Sequence, residues 1–185
     1  MKASILALAL LAVALPARAG EEAGAPPAVG SAAPAFRAQD QKGEWHTLDE
    51  YAGKWLVLYF YPKDGTPGCT KEVCAFRDDI VKVQKAGAVV VGVSLDDVAS
   101  HKEFAEKHSV PFSLLADTDK SMAKSYGVLT SKLGFTYTRR DTFVIDPQGK
   151  IAKHYPDVDP EKNVKQVLED LAKLNGATPR TTGAY

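Results

Sequence analysis

Two uninterrupted apolar runs dominate the chain, residues 55–61 (WLVLYFY) and 88–95 (AVVVGVSL). Short runs without alternation mark central strands covered on both faces. Around them the period changes. Residues 142–145 and 151–155 are apolar stretches joined by Asp146-Pro147-Gln148-Gly149, good turn chemistry, and read as an edge hairpin. Residues 36–38 and 45–48 flank 40–43 and read as a smaller hairpin. Residues 48–51 suggest a helical turn before Gly53, and 112–115 a short strand. Helical spacing appears in 96–108, with Val98, Phe104 and Ala105 facing inward, and in 120–126, closed by Gly127. A last helix opens at Asp159-Pro160 and carries Val164, Val167, Leu168, Leu171 and Leu174 as its apolar stripe.

The order predicts an α/β fold: a central mixed sheet, mostly parallel at its centre with an antiparallel edge pair, flanked by helices. Ligand and catalytic sites in such sheets gather beyond the carboxyl ends of the strands. Residues 62–69 occupy that place for the 55–61 strand.

The ends of the chain follow a different pattern. Lys2, the apolar residues 5–15 and Ala17-Arg18-Ala19 have the layout of an export signal with a small-x-small cleavage site. The apolar run is shorter than the 20 or so residues that span a bilayer. The expectation is therefore a signal peptide at 1–19, a flexible leader at 20–33 rich in Gly, Ala and Pro, one domain at 34–175, and a loose tail at 176–185. This implies a periplasmic or secreted protein with no membrane association after cleavage. Removing 1–19 takes away Lys2 and Arg18 and leaves 21 basic against 23 acidic residues, a formal charge of −2. Such a balance argues against nucleic acid or an anionic membrane as partner.

Export bears on the only two cysteines, Cys69 and Cys74. Cys69 opens a helical stretch, where unpaired amides and the helix dipole favour a thiolate. At about 100° per residue, Val73, Phe76, Ile80 and Val83 fall within roughly 40° of its direction, while Lys71, Asp78, Lys82 and Lys85 fall on the far side. Cys69 thus heads the buried stripe. Cys74 lies about 140° round and roughly 7.5 Å further along, so the two Cα atoms stand about 8–9 Å apart on an intact helix. A disulfide needs them within about 7 Å. The pair can close only if the helix start unwinds. A structural staple over so short a loop constrains the unfolded chain little. Two cysteines with four intervening residues match neither a Cys-x-x-Cys exchanger nor a four-thiolate metal site. His46, His101, His108 and His154 lack zinc-motif spacing to them and read as ordinary surface or core residues. Glu72 reads as a first-turn carboxylate suited to the helix dipole. A thiol peroxidase, an exported redox sensor or disulfide-transfer protein, and a non-catalytic module with an incidental disulfide all remain open on these grounds.

Pro62, Thr66 and Cys69 stand at the spacing Pro-x-x-x-Thr/Ser-x-x-Cys, residues 68–78 read GCTKEVCAFRD, and residues 140–146 read RDTFVID. In these three places the chain resembles the peroxiredoxins, and within them the peroxiredoxin Q, or bacterioferritin comigratory protein, subfamily. The resemblance extends over residues 29–175. It implies a thioredoxin-like fold and reduction of hydrogen peroxide and organic hydroperoxides without metal or organic cofactor. It further implies Cys69 as peroxidatic nucleophile, Cys74 as resolving thiol, Thr66 and Arg140 as hydrogen-bonding partners of thiolate and peroxide, and Pro62 as a shield against water. The oxidised form would be a Cys69–Cys74 disulfide recycled by a thioredoxin-like donor, in a monomer. Arg139 would point away from Arg140 by strand alternation.

Overall fold

The computed structural model describes residues 24–177. The expected signal peptide, the first residues of the leader and the tail from 178 onward lie outside the described residues.

Both long apolar runs become central strands. β3 (Trp55–Phe60) is buried at every position and β4 (Ala88–Ser94) at all but one. They pair in parallel, and β4 pairs in parallel with β5 (Ser113–Ala116). On the other side β3 pairs antiparallel with β8 (Thr142–Ile145), which pairs antiparallel with β9 (Ile151–Tyr155). The small hairpin β1 (Arg37–Asp40) and β2 (Trp45–Thr47) adds to the β5 edge, giving a seven-stranded sheet of order β2-β1-β5-β4-β3-β8-β9.

Each face of the sheet carries its own apolar layer. Val57, Tyr59, Val90 and Val144 meet α1 (Pro67–Asp78), α2 (Ile80–Lys85), α3 (Val98–His108) and α5 (Asn163–Ala177) through residues such as Val73, Phe76, Val83, Phe104 and Val167. The opposite side chains, Leu56, Leu58, Phe60 and Val91, meet Met122 and Ala123 of α4 (Ser121–Ser125), together with Leu48 and Tyr51 of the 3-10 turn at Leu48–Tyr51. Alternation along one strand thus fills two cores, which is why the sequence shows no polar positions there.

Four sequence expectations change. The helix after Cys69 is two helices, broken at Asp79, and Ile80 is half-buried rather than fully inside. The last helix begins at Asn163, because residues 159–162 form a turn in which Asp159 O accepts from the amides of Lys162 and Asn163. Residues 30–33 are not a free leader: the Gly30 amide donates to Ile151 O at 2.7 Å, the Ile151 amide to Ser31 O at 2.9 Å, and the Ala33 amide to Gly149 O at 2.8 Å. Finally, β6 (Leu129–Lys132) and β7 (Phe135–Thr138) form a separate two-stranded hairpin that the sequence reading left unassigned.

Candidate active site

β3 ends at Phe60, and the chain crosses residues 61–66 to enter α1. Pro67 takes the first helical position, where its missing N–H costs nothing, and Thr66 is the N-cap. The first helical amide bond shown is Thr70 N–H to Thr66 O at 2.9 Å. The amides of Gly68 and Cys69 precede it and, by helix geometry, have no intrahelical acceptor. Cys69 is 1% exposed, Val73 1% and Phe76 0%, so Cys69 does head the buried stripe. Cys74 is half-buried on the same intact helix, and both thiols are free.

The crossing loop is tied down by Asp64. Its carboxylate accepts from Tyr61 Oη at 2.7 Å and from Ser100 Oγ at 2.8 Å, and lies 2.8 Å from Nδ1 of the fully buried His101. Its amide donates to Asp96 Oδ2 at 2.9 Å. Burial would push the Asp64 carboxyl upward, but the His101 bond and charge, with Tyr61 and Ser100, outweigh it and hold it below the usual carboxylate range.

Arg140 arrives from the segment just before β8. Its Nη2 donates to Cys69 Sγ at 3.2 Å, while Nη1 donates to Glu72 Oε2. One planar fork therefore engages thiol and carboxylate together, as a lysine could not. Glu72 is one helical turn beyond Cys69, on the same side, and is 0% exposed. Its other oxygen accepts from Asn163 Nδ2 at 3.1 Å, and Asn163 in turn donates to Thr142 Oγ1 at 2.6 Å. Burial pushes the Glu72 carboxyl up to about 7, with Arg140 and then Asn163 acting in the opposite direction. Burial also works against the Arg140 charge, but Glu72 and Cys69 more than compensate, so the guanidinium stays charged. A Cβ added to Gly68 would stand 3.2 Å from Arg140 Nη2, so the absence of a side chain there leaves the fork its room.

Of the residues singled out from sequence, Cys69 and Arg140 meet directly. Thr66 sits three residues before Cys69, and its hydroxyl donates to Lys63 O at 3.1 Å. Pro62 is half-buried, two residues beyond the end of β3. Arg139 turns away to Asp141 and Gly127 O, each at 3.1 Å, although neither arginine lies within the strand. Glu72 corrects the sequence reading: it belongs to the second turn, not the first, and is buried. Asp64 and Asn163 carry no signal in the sequence, and His101, expected only as an ordinary surface or core residue, is the buried partner of Asp64. Their partners lie up to 91 residues away, so no local pattern could mark them.

The AhpC/TSA family model matches residues 29–154. The chloroplastic peroxiredoxin Q of Oryza sativa subsp. japonica is 46% identical over 146 residues, which cover 78% of this chain and 67% of that protein. The putative peroxiredoxin bcp of Coxiella burnetii is 44% identical over 147 residues, covering 77% of this chain and 97% of the other. Among solved structures, peroxiredoxin Q from Xanthomonas campestris superposes with a TM-score of 0.72 at 34% identity, covering 75% of this chain and 90% of that one.

Proposed function

The chain belongs to the AhpC/TSA family, in its peroxiredoxin Q branch, and is a thiol peroxidase; from that premise we propose that Cys69 is the peroxidatic thiol and Cys74 resolves it. The observation that carries this reading is the Arg140 fork, 3.2 Å from a Cys69 sulfur buried at a helix start. The Cys69 thiolate attacks the distal oxygen of a hydroperoxide. The O–O bond breaks, and its electron pair leaves on the alkoxide or hydroxide, which takes up a proton to give alcohol or water. Peroxide is reduced by two electrons and the sulfur is oxidised to a sulfenic acid. Arg140 and the Gly68 and Cys69 amides are donors already oriented toward the charge that develops on the oxygens. Thr66 keeps its hydroxyl lone pairs available for the peroxide O–H, since its proton goes to Lys63 O. Pro62 limits water at the mouth of the pocket.

Resolution requires movement. Both cysteines lie in α1, five positions apart, and the rise and rotation of the helix together keep their Cα atoms about 8–9 Å from each other. The first turns of α1 must therefore unwind before the Cys74 sulfur attacks the sulfenic sulfur, releases water and forms the disulfide. A thioredoxin-like dithiol protein then reduces it by exchange. The export pattern in residues 1–19 supports a donor outside the cytoplasm, and both thiols on one chain favour a monomer.

Stopped-flow oxidation of the reduced protein by hydrogen peroxide tests the assignment. A fast phase lost in Cys69→Ser and kept in Cys74→Ser, with a trappable sulfenic acid in the latter, is the expected result. An oxidation rate no greater than that of free cysteine would overturn it.

A further inference from the structure

The β1–β2 hairpin, on the opposite edge of the sheet from β9, carries a second cluster. The register pairs Ala38 with His46 and Gln39 with Trp45, and the Asp40 amide donates to Glu44 O at 2.9 Å. Alternation then sends Asp40, Glu44 and His46 to one face and Arg37 and Trp45 to the other, where the guanidinium stacks on the indole. One oxygen or nitrogen from each of Asp40, Glu44 and His46 lies within 4.8 Å of the others.

We propose that Asp40, Glu44 and His46 bind a divalent transition-metal ion, Zn2+ by the character of the ligands, on this face of the hairpin. One unsatisfied atom, beside a buried carboxylate, carries the proposal. His46 Nε2 is buried and has no hydrogen-bond partner. It faces Asp40 Oδ2 at 3.4 Å. The Asp40 side chain is 2% exposed, and both amides that bond it, Lys42 and Glu44, go to Oδ1. An ion between Nε2 and Oδ2 would take the nitrogen and the carboxylate oxygen as ligands. The separation also fits: ligand atoms about 2.1 Å from a tetrahedral zinc stand about 3.4 Å apart.

The remaining ring nitrogen is arranged as in known zinc sites. His46 Nδ1 lies 3.1 Å from Glu50 Oε2 and 3.3 Å from Tyr51 Oη. Glu50 is itself fixed, because its Oε1 accepts from the Thr47 amide at 3.0 Å. A carboxylate on the far nitrogen selects the tautomer whose Nε2 is free to ligate. Glu44 is exposed, so it can swing in as third ligand, with water completing the set. The ion would clip the two strands of the hairpin together across their turn.

Calorimetric titration of the full chain with zinc chloride tests this, in a Cys69→Ser, Cys74→Ser background that removes competing thiols. The expected result is saturable one-to-one binding, weakened about tenfold or more by Glu44→Gln and by His46→Gln. Glu44 is exposed, so its substitution leaves the fold intact. Co2+ in place of zinc should give the visible bands of a tetrahedral site, absent in His46→Gln. No saturable binding at millimolar zinc would overturn the proposal, as would binding that survives both substitutions. A doubly protonated His46 seen by nitrogen NMR in the presence of zinc would overturn it too.

Discussion

Val73→Ala separates the two states of the site. Val73 is 1% exposed and packs in the core between α1 and the sheet. The substitution removes two methyl groups, worth ~1.6 kcal/mol at ~0.8 kcal/mol for each buried group. The residual cavity makes this a lower bound. In the folded dithiol the whole loss is felt. If the disulfide form has already released the start of α1, Val73 is exposed there and the loss vanishes. The dithiol is then selectively destabilised, and oxidation becomes easier. For a two-electron couple, with ~30 mV per 1.4 kcal/mol, the reduction potential should become about 35 mV more negative. Val90→Ala, in β4 at 1% exposure, is the control. It costs both forms equally and should leave the potential where it was. The assay is equilibration in a series of dithiol redox buffers, followed by alkylation of free thiols. Equal potentials for Val73→Ala and wild type would mean that α1 stays folded in the disulfide, and the argument for unwinding would fail.

Arg140→Lys keeps the charge but cannot serve Cys69 and Glu72 with one fork. The rate of peroxide attack should fall by about 10²-fold or more, the usual loss for an oriented donor; an unaltered stopped-flow rate would contradict the role of the fork. Glu72 supplies a pH test. Its carboxyl is raised from 4.5 to about 7 by burial, so the fold favours the protonated form. Its contribution to stability is complete below pH 4.5 and is lost as pH rises through about 7. Glu72→Gln removes this titration, so the wild-type melting temperature should decline relative to the variant across that window. Parallel profiles would show that Glu72 is already ionised throughout.

The central architecture was legible because burial on both faces leaves a sequence signature that few other structures share. The β6–β7 hairpin lacked one. Its strands are largely exposed, so nothing alternates, and its turn is Leu133-Gly134, both at positive φ (52° and 82°). Asn-Gly would have announced such a turn; leucine there does not. The spacing of Cys69 and Cys74 on a helix was readable because helical geometry is fixed by residue number. The environment of Cys69 was only half readable. Arg140 was found through a motif, but its grip depends on Glu72, whose burial is decided by α5 and β8 through Asn163 and Thr142. A glutamate on a helix looks solvated until the elements that cover it are known. Asp64 and His101 pose the same difficulty, since the loop and α3 meet only in the folded sheet.

Amide hydrogen exchange over residues 70–78 tests the central claim most directly, compared between the reduced protein and the Cys69–Cys74 disulfide. Unwinding predicts that the amides of Val73 and Phe76, protected in the intact α1, exchange close to free-peptide rates once the disulfide has formed, while β3 and β4 stay protected. Unchanged protection at Val73 and Phe76 in a fully oxidised sample would contradict it.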